Sequence, residues 1–237
     1  MQLELEEIRY MQTRTWMTSS IPKDIIVEFV TQIFESIDAH CGIITEDTHL
    51  DIKKTGIGVD SIIRDHYTRE YGFVYLYEKF VNDLAEYLKG KKVLSIMSGS
   101  CTLEKHLKDR GVDIICTDSG EWYDIPEYRE WARNTIPVEM IDAVEAIHKY
   151  GNDVDYVLCS WPPYNESGAY DAIMAMREVT NPNLTMIYIG DDILGCCADN
   201  NFFKAVCETE ISTPETDYLQ DTFKRFYGIY DTIRFFK

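Results

Sequence analysis

The sequence predicts an α/β protein with a seven-stranded, mostly parallel sheet and an N-terminal helical extension. From Lys91 onward, short apolar runs alternate with amphipathic segments, the pattern of strands and helices that follow one another along a parallel sheet. The runs VLSIM and LTMIYIG are almost continuously apolar, as expected for strands buried on both faces. Before Lys91, apolar residues instead recur at helical spacing.

The chain is predicted to divide into a helical extension or lid, residues 1–90, and a sheet domain, residues 91–237. One helix is expected over residues 22–39, with Pro22 at its first position and apolar residues at every fourth place: Ile25, Phe29, Ile33 and Ile37. A second helix is expected over residues 72–88.

The region between these helices is predicted to be a loop with at most one short helix, over residues 40–62. Residues 67–72, just ahead of the second helix, are placed either to fold over the cofactor as a lid or to pack as an ordinary loop.

Seven segments of the second part are predicted as strands: residues 93–97, 112–118, 136–140, 155–160, 184–190, 207–212 and 229–236. Helices are predicted between them, over residues 102–110, 124–134, 142–150, 168–179 and 199–206. Ligands of such sheets bind outside the carboxyl ends of the strands. The polar segments that follow the strands therefore indicate the site: residues 97–101, 118–122, 140–142, 160–164 and 190–192.

Charge and hydropathy limit the kinds of partner that the protein is expected to bind. The 237 residues carry a net charge of −18, with 41 acidic against 23 basic residues, which disfavours a tight, non-specific nucleic-acid binder. No apolar run of about 18 residues is present, and the acidic N-terminus does not resemble a signal peptide. We therefore expect a soluble, cytoplasmic protein with no membrane partner.

The cysteines and histidines do not occur at the spacings that are typical of metal sites. Seven cysteines are scattered without C-x-x-C, and five histidines show no H-x-x-H, so we expect reduced thiols and no metal.

The loop after the first strand is the first candidate binding element. Met97, Ser98, Gly99 and Ser100 lead into a helix, where backbone N–H groups and the helix N-terminus can approach a ligand. Glycine and serine add little bulk, as close approach requires. A single glycine does not match the G-x-G-x-x-G dinucleotide pattern.

An acidic residue ends the second strand. Asp118 can accept hydrogen bonds from both hydroxyls of a ribose, and Ser119 follows it. The alternative is that Asp118 caps a local turn. Trp122 is placed either to stack on a purine or to pack in the core.

These segments resemble the class I, Rossmann-like S-adenosylmethionine-dependent methyltransferases over about residues 90–210. The resemblance rests on VLSIMSGSCTLEKHL, on IICTD and on MIDAVEAI. It implies S-adenosylmethionine as the cofactor, with Ile141, Asp142 and Ala143 beside the adenine. Met97 and Cys101 stand where that family usually has glycines.

The segment Ser160-Trp161-Pro162-Pro163-Tyr164 resembles the N/D/S-P-P-Y/F motif of methyltransferases that modify amines. The resemblance implies that a polar side chain and a backbone carbonyl hold the target amine, while the aromatic residue stacks on the substrate; Ser160 is also placed at the cofactor. Trp161 can donate a hydrogen bond but cannot accept one. Either Ser160 and the Trp161 carbonyl take over, or the acceptor is not an exocyclic base amine.

Three functions remain open. The first is a methyltransferase acting on a small molecule or a peptide, where Asp191, Asp192 or Tyr164 would serve if a base is needed. The second is an amine methyltransferase acting on a nucleic-acid base, which predicts a basic stripe near Trp161: Lys53, Lys54, Arg64 and Arg69. The third is a non-catalytic scaffold that binds S-adenosylmethionine.

Overall fold

The computed structural model describes residues 23–55, 57–126, 136–193 and 195–237. Pro22 and most of the predicted helix at 124–134 lie outside these residues. In the described part, the sheet is preceded by α1 (Lys23–Ala39), α2 (Glu46–Lys54), α3 (Ile57–Tyr71) and α4 (Glu78–Tyr87). None of the described helices is both long and apolar enough to span a bilayer.

The sheet region continues to the end of the chain. Its elements are β1 (Lys92–Ile96), α5 (Thr102–Asp109), β2 (Asp113–Asp118), a 3-10 turn (Glu121–Asp124), β3 (Val138–Met140), α6 (Ala143–Tyr150), β4 (Tyr156–Ser160), α7 (Gly168–Glu178), β5 (Thr185–Gly190), α8 (Asn200–Val206), α9 (Pro214–Thr222) and β6 (Thr232–Phe236). The strand order is β3-β2-β1-β4-β5-β6, and only β6 runs antiparallel to its neighbour. The prediction of an α/β fold with a mostly parallel sheet is confirmed.

The order of the strands fixes where a ligand can bind. The central strand β1 has β2 on one side and β4 on the other, so the chain reverses its direction of progress along the sheet between β1 and β4. The loops after these two strands diverge to opposite faces and leave a crevice at their carboxyl ends.

The described sheet has six strands rather than the predicted seven. Residues 207–212 make one antiparallel bridge, between Glu210 and Phe236, flanked by the hydrogen bond from Ile211 N to Phe235 O (2.8 Å). The strand is cut short because Thr213 caps α9, which has Pro214 at its first position.

Helices cover both faces of the sheet. On one face, α1 to α4 and α9 share a core with strand residues such as Val93, Leu158 and Ile187; on the other, α6, α7 and α8 pack against residues such as Leu94 and Val157. The first core runs without interruption from the N-terminal helices into the sheet. A domain boundary at residue 90 stays a prediction.

The N-terminal region differs from its prediction in three places. Residues 40–62 contain α2 and the start of α3 rather than mostly loop. Residues 72–77 are irregular rather than helical, and they end in a parallel bridge between Tyr77 and Ile44. There the N–H of Ile44 donates to the carbonyl of Leu76 (2.9 Å), and the carbonyl of Ile44 accepts from the N–H of Glu78 (3.0 Å). Residues 67–71 are the last turn of α3, which Gly72 ends with φ +95°.

Tyr67 provides a test of how this region is held together. Its buried hydroxyl donates to the carbonyl of Gly42 (2.7 Å) and accepts from the N–H of Leu76 (3.3 Å). Tyr67→Phe leaves both buried backbone groups without a partner and should lower the free energy of unfolding by about 1–3 kcal/mol. Chemical denaturation measures the change.

The control is Tyr227→Phe, because the Tyr227 side chain is exposed. Its effect should stay within about 0.5 kcal/mol. Equal losses in the two variants would contradict the role given to the Tyr67 hydroxyl.

Candidate active site

A cavity of about 640 Å³ lies at the carboxyl ends of β1, β2 and β4. Eleven of the predicted site residues line it: Met97, Ser98, Gly99, Ser100, Asp118, Ser119, Ser160, Trp161, Pro162, Pro163 and Tyr164. The fold brings them together because these three strands are neighbours and parallel. Residues 71–74, which comprise the last residue of α3 and the three that follow it, close the cavity from the side of the N-terminal helices.

The third predicted cofactor segment is placed elsewhere. Ile141, Asp142 and Ala143 are not among the residues that line the cavity. The exposed Asp142 caps α6 and accepts a hydrogen bond from the N–H of Glu145 (2.9 Å). Their contact with an adenine stays a prediction, without support from the shape of the cavity.

The loop after β1 has the backbone of a glycine-rich loop with only one glycine. Met97, Gly99 and Cys101 all have left-handed φ angles, of 50°, 50° and 51°. This conformation costs a non-glycine residue roughly 1–2 kcal/mol. Packing helps to offset that cost. Cys101 is fully buried, and the sulfur of Met97 lies so close to Gly168 that a Cβ on this glycine would be 3.1 Å from it.

Asp118 holds this loop in place. One carboxylate oxygen accepts from the N–H of Gly99 (2.8 Å), and the other accepts from the N–H of Gly120 (2.7 Å) and the indole N–H of Trp122 (3.0 Å). A carboxylate has about four acceptor sites, so one is left for a ligand. Both predictions for Asp118 therefore keep support: it braces a local turn, and it faces the cavity.

The N-terminal helices are joined to the same loop. The hydroxyl of Ser100 donates to the carbonyl of Tyr71 (2.8 Å), and a Cβ on Gly72 would lie 2.5 Å from that hydroxyl oxygen. A glycine is required here both for the left-handed φ and for the close approach.

A buried acid that the sequence analysis did not single out lies beneath the loop. Glu104 on α5 is 2% exposed, lines the cavity and accepts from the Ser95 hydroxyl (2.7 Å). Burial raises the pKa of its carboxyl to about 7. An acidic residue in the first turn of the helix after a ligand loop is the signal that could have identified it.

Trp161 forms the opposite wall and is fixed on several sides. Its backbone N–H donates to the carbonyl of Ile189 (2.7 Å), and its indole N–H donates to Asp231 (3.2 Å). Its ring stacks on Phe73, with 4.9 Å between centroids and 20° between the planes. These contacts hold Trp161 at a left-handed φ of 49°. Phe73 is a site residue that the helix prediction over 72–88 concealed.

Ser160 and Trp161 line the cavity, while two other polar groups of this loop are engaged within the protein. The Trp161 indole is a donor and is engaged by Asp231, while the carbonyl of Pro162 accepts the N–H of Ala198 (3.3 Å). Tyr164, the residue expected to stack on a substrate, is 66% exposed at the edge of the cavity.

Asp231 is buried next to the Trp161 ring. It is 3% exposed, and its second carboxylate oxygen has no hydrogen-bond partner among the described residues. Burial is the main reason that the pKa of its carboxyl rises to about 7, and the nearby Asp191 adds to the rise.

The remaining candidates lie apart from the cavity. Asp191 and Asp192 line a second, more open depression of about 760 Å³, where Asp192 pairs with Arg234 (3.0 Å). Of the four residues of the predicted basic stripe, only Arg64 lines the first cavity. Within the described ranges, no group of three or more histidine, cysteine or acidic residues is arranged to hold a metal.

Comparison with solved structures finds alignments at low sequence identity. The chain aligns with a mutant of MtNAS (TM-score 0.44, 12% identity, covering 98% of this chain and 97% of that one). It also aligns with the magnesium protoporphyrin IX methyltransferase ChlM from Synechocystis, solved with bound S-adenosylmethionine (0.40, 16%, covering 76% and 97%).

A third match is the S-adenosylmethionine-dependent methyltransferase from Agrobacterium tumefaciens (TM-score 0.35, 17% identity, covering 49% of this chain). The aligned part spans less than half, 44%, of the Agrobacterium protein. No protein-family model matches the sequence, and no curated protein matches it significantly.

Gly72→Ala tests the junction between the helices and the loop, with Gly90→Ala as its matched control. Both glycines have left-handed φ, but a Cβ on Gly90 meets nothing within 4 Å. Gly90→Ala should therefore lower the free energy of unfolding by roughly 1–2 kcal/mol, the cost of a left-handed φ for alanine. Gly72→Ala should cost about 1–2 kcal/mol more, because Ser100 must rotate and release Tyr71. Equal costs in chemical denaturation would contradict the junction.

Asp231→Asn tests the buried carboxyl through the pH dependence of stability. The folded protein holds the Asp231 proton up to about pH 7, whereas the unfolded chain releases it near 3.8. The contribution of Asp231 to stability is thus complete below pH 3.8 and falls as the pH rises towards 7.

Asparagine keeps an acceptor for the Trp161 indole but cannot ionise. The free energy of unfolding of Asp231→Asn relative to the unmodified protein should therefore increase by about 1–3 kcal/mol between pH 5 and pH 8. Urea unfolding at several pH values measures this difference. A difference that does not change with pH would contradict the raised pKa.

Proposed function

We propose that the protein is an S-adenosylmethionine-dependent methyltransferase that acts on a small-molecule acceptor. One observation carries the proposal: a single cavity joins the left-handed loop after β1, the acid that ends β2 and the Trp-Pro-Pro loop after β4. In this assignment the cofactor lies along the loops after β1 and β2, and the acceptor lies against the loop after β4.

The residues of the cavity fit this cofactor. S-adenosylmethionine carries a positive sulfonium and an ammonium group, and four carboxyl groups line the cavity: Glu104, Asp118, Glu121 and Glu166. Glu104 is buried without a cationic partner among the described residues, which favours a positively charged ligand. The volume of about 640 Å³ lies within the range of small-molecule sites.

Each wall has a distinct task in the proposed reaction. The loop after β1 lines the cavity, and the remaining acceptor site of Asp118 is available to a ribose hydroxyl. Trp122 is oriented by its bond to Asp118 and offers a flat surface. When bound, the sulfonium supplies an electrophilic methyl group.

The protein contributes mainly placement. Transfer to an acceptor requires the attacking atom in line with the methyl group, and held geometry of this kind lowers the barrier without a covalent intermediate. Trp161 and Phe73 form a rigid aromatic wall where the acceptor would lie. Pro162 and Pro163 stiffen the loop that carries this wall.

Two observations bear on the choice between a small molecule and a nucleic-acid base. The carbonyl of Pro162 already accepts the N–H of Ala198 (3.3 Å), which leaves Ser160 and the Trp161 carbonyl as the acceptors on this loop for an exocyclic amine. Only one residue of the basic stripe reaches the cavity, and a nucleic acid requires several cations along its backbone.

Isothermal titration with S-adenosylmethionine and S-adenosylhomocysteine tests the proposal. Asp118→Ala should weaken binding of both by about 5- to 150-fold, equivalent to about 1–3 kcal/mol, because the ribose and the loop lose their acceptor. The protein's unfolding temperature should be measured in parallel, since three N–H groups inside the protein also lose their partner.

Asp199→Ala is the control, because it removes an acid that caps α8 outside the cavity. It should cost about 1 kcal/mol of stability and leave the affinity unchanged. No binding by the unmodified protein would refute the proposed function. An equal loss of affinity in the two variants would refute the placement of the ribose at Asp118.

A further inference from the structure

Arg64 on α3 is the feature of the cavity that the proposed function leaves unused. Among the described residues that line the cavity, it is the only one with a positive charge. It is half-buried, with its guanidinium 5.9 Å from the centre of the Trp161 ring.

The donors of Arg64 are not consumed inside the described part of the protein. Among the described residues, its guanidinium makes no hydrogen bond and no ion pair. It contacts the Trp161 ring and interacts electrostatically, at longer range, with Asp60 and Asp231. Arginine presents five N–H donors in a planar fork that matches a carboxylate with two parallel hydrogen bonds. A half-buried fork that faces a cavity is therefore a site for an anionic group.

The position of Arg64 assigns that anion to the acceptor. Arg64 lies over Trp161, on the loop after β4, whereas the loop after β1 and Asp118 form the part of the cavity given to the cofactor. Trp161 cannot turn away easily, because Asp231, Phe73 and the carbonyl of Ile189 all hold it. The platform beneath the guanidinium is thus fixed.

The surroundings also limit the charge of the anion. Asp60 and Asp231 lie near Arg64, and Glu121 and Glu166 line the same cavity. These acids oppose a doubly charged phosphate more strongly than a singly charged carboxylate. The stacked Phe73 and Trp161 rings add a flat apolar wall, which favours an acceptor with a flat body.

We infer that Arg64 binds the carboxylate of the acceptor, so that the substrate is a small, flat molecule that carries a carboxylate. This inference rests on the proposed function for its acceptor, but the carboxylate site itself stands on Arg64 and Trp161. It defines a chemical class of substrate without specifying the atom that receives the methyl group.

Matched pairs of ligands test the inference. Benzoate with benzamide, and indole-3-acetate with indole-3-acetamide, differ mainly in the negative charge. On the protein saturated with S-adenosylhomocysteine, calorimetry should show at least one carboxylate binding about tenfold or more tightly than its amide. Arg64→Met should abolish this preference, and Arg64→Lys should keep only part of it, because lysine retains the charge without the fork.

Arg69→Met is the matched control. It removes the same charge from the same helix, but its side chain is exposed and donates to the carbonyl of Asp65 (3.1 Å). The preference for carboxylates should persist in this variant. The inference is overturned if no carboxylate binds at millimolar concentration, if amides bind equally well, or if Arg64→Met retains the preference.

A second measurement separates the acceptor from the cofactor, which also carries a carboxylate. S-adenosylhomocysteine has that carboxylate, and 5′-methylthioadenosine lacks it. If Arg64→Met weakens the first about tenfold and leaves the second unchanged, the guanidinium binds the cofactor and the inference is overturned. If the unmodified protein binds neither nucleoside, the proposed function fails. The carboxylate and amide ligands are then compared by calorimetry on the protein without any nucleoside, and that comparison decides the inference.

Discussion

The cavity depends on one buried carboxylate. Asp118 accepts hydrogen bonds from Gly99, in the loop after β1, and from Gly120 and Trp122, after β2. The two strands are neighbours in register, with Ser95 opposite Cys116, so their loops emerge side by side with unpaired backbone donors. A neutral side chain of the same size would satisfy fewer of these donors. The carboxylate therefore sets the separation of the two loops as well as the charge between them.

Strain is distributed over both walls of the cavity. Met97 and Cys101 on one side, and Trp161 on the other, hold left-handed backbone angles that favour glycine. Each is held by tertiary contacts, such as Met97 against Gly168 and Trp161 against Phe73 and Asp231. A loop of glycines would reach the same angles with more freedom in the unfolded chain. Side chains at these positions instead couple the backbone of the site to the core.

The sequence was informative where local pattern decides the structure, and less so where distant residues decide it. The strands of the sheet follow from apolar runs such as the one that became β5, all six residues of which are buried. The irregular segment 72–77 was predicted as helix because its apolar residues recur at helical spacing, while the bridge of Tyr77 is to Ile44, distant in the sequence. The contact between Trp161 and Asp231 spans 70 positions and leaves no local signature. At Asp142, the acid before the helix caps α6, and its contact with an adenine stays a prediction.

The distribution of charge in the cavity joins these features to the proposed chemistry. Glu104 is buried near Asp118, and burial together with the like charge of Asp118 raises the pKa of its carboxyl to about 7. A positive group bound beside it would favour the ionised form and draw the pKa back down. Arg64 and Trp161 give the opposite wall a guanidinium on an aromatic surface. A cationic donor and an anionic acceptor would then each meet a complementary wall, and their mutual attraction across a low-dielectric cavity would favour the approach that methyl transfer requires.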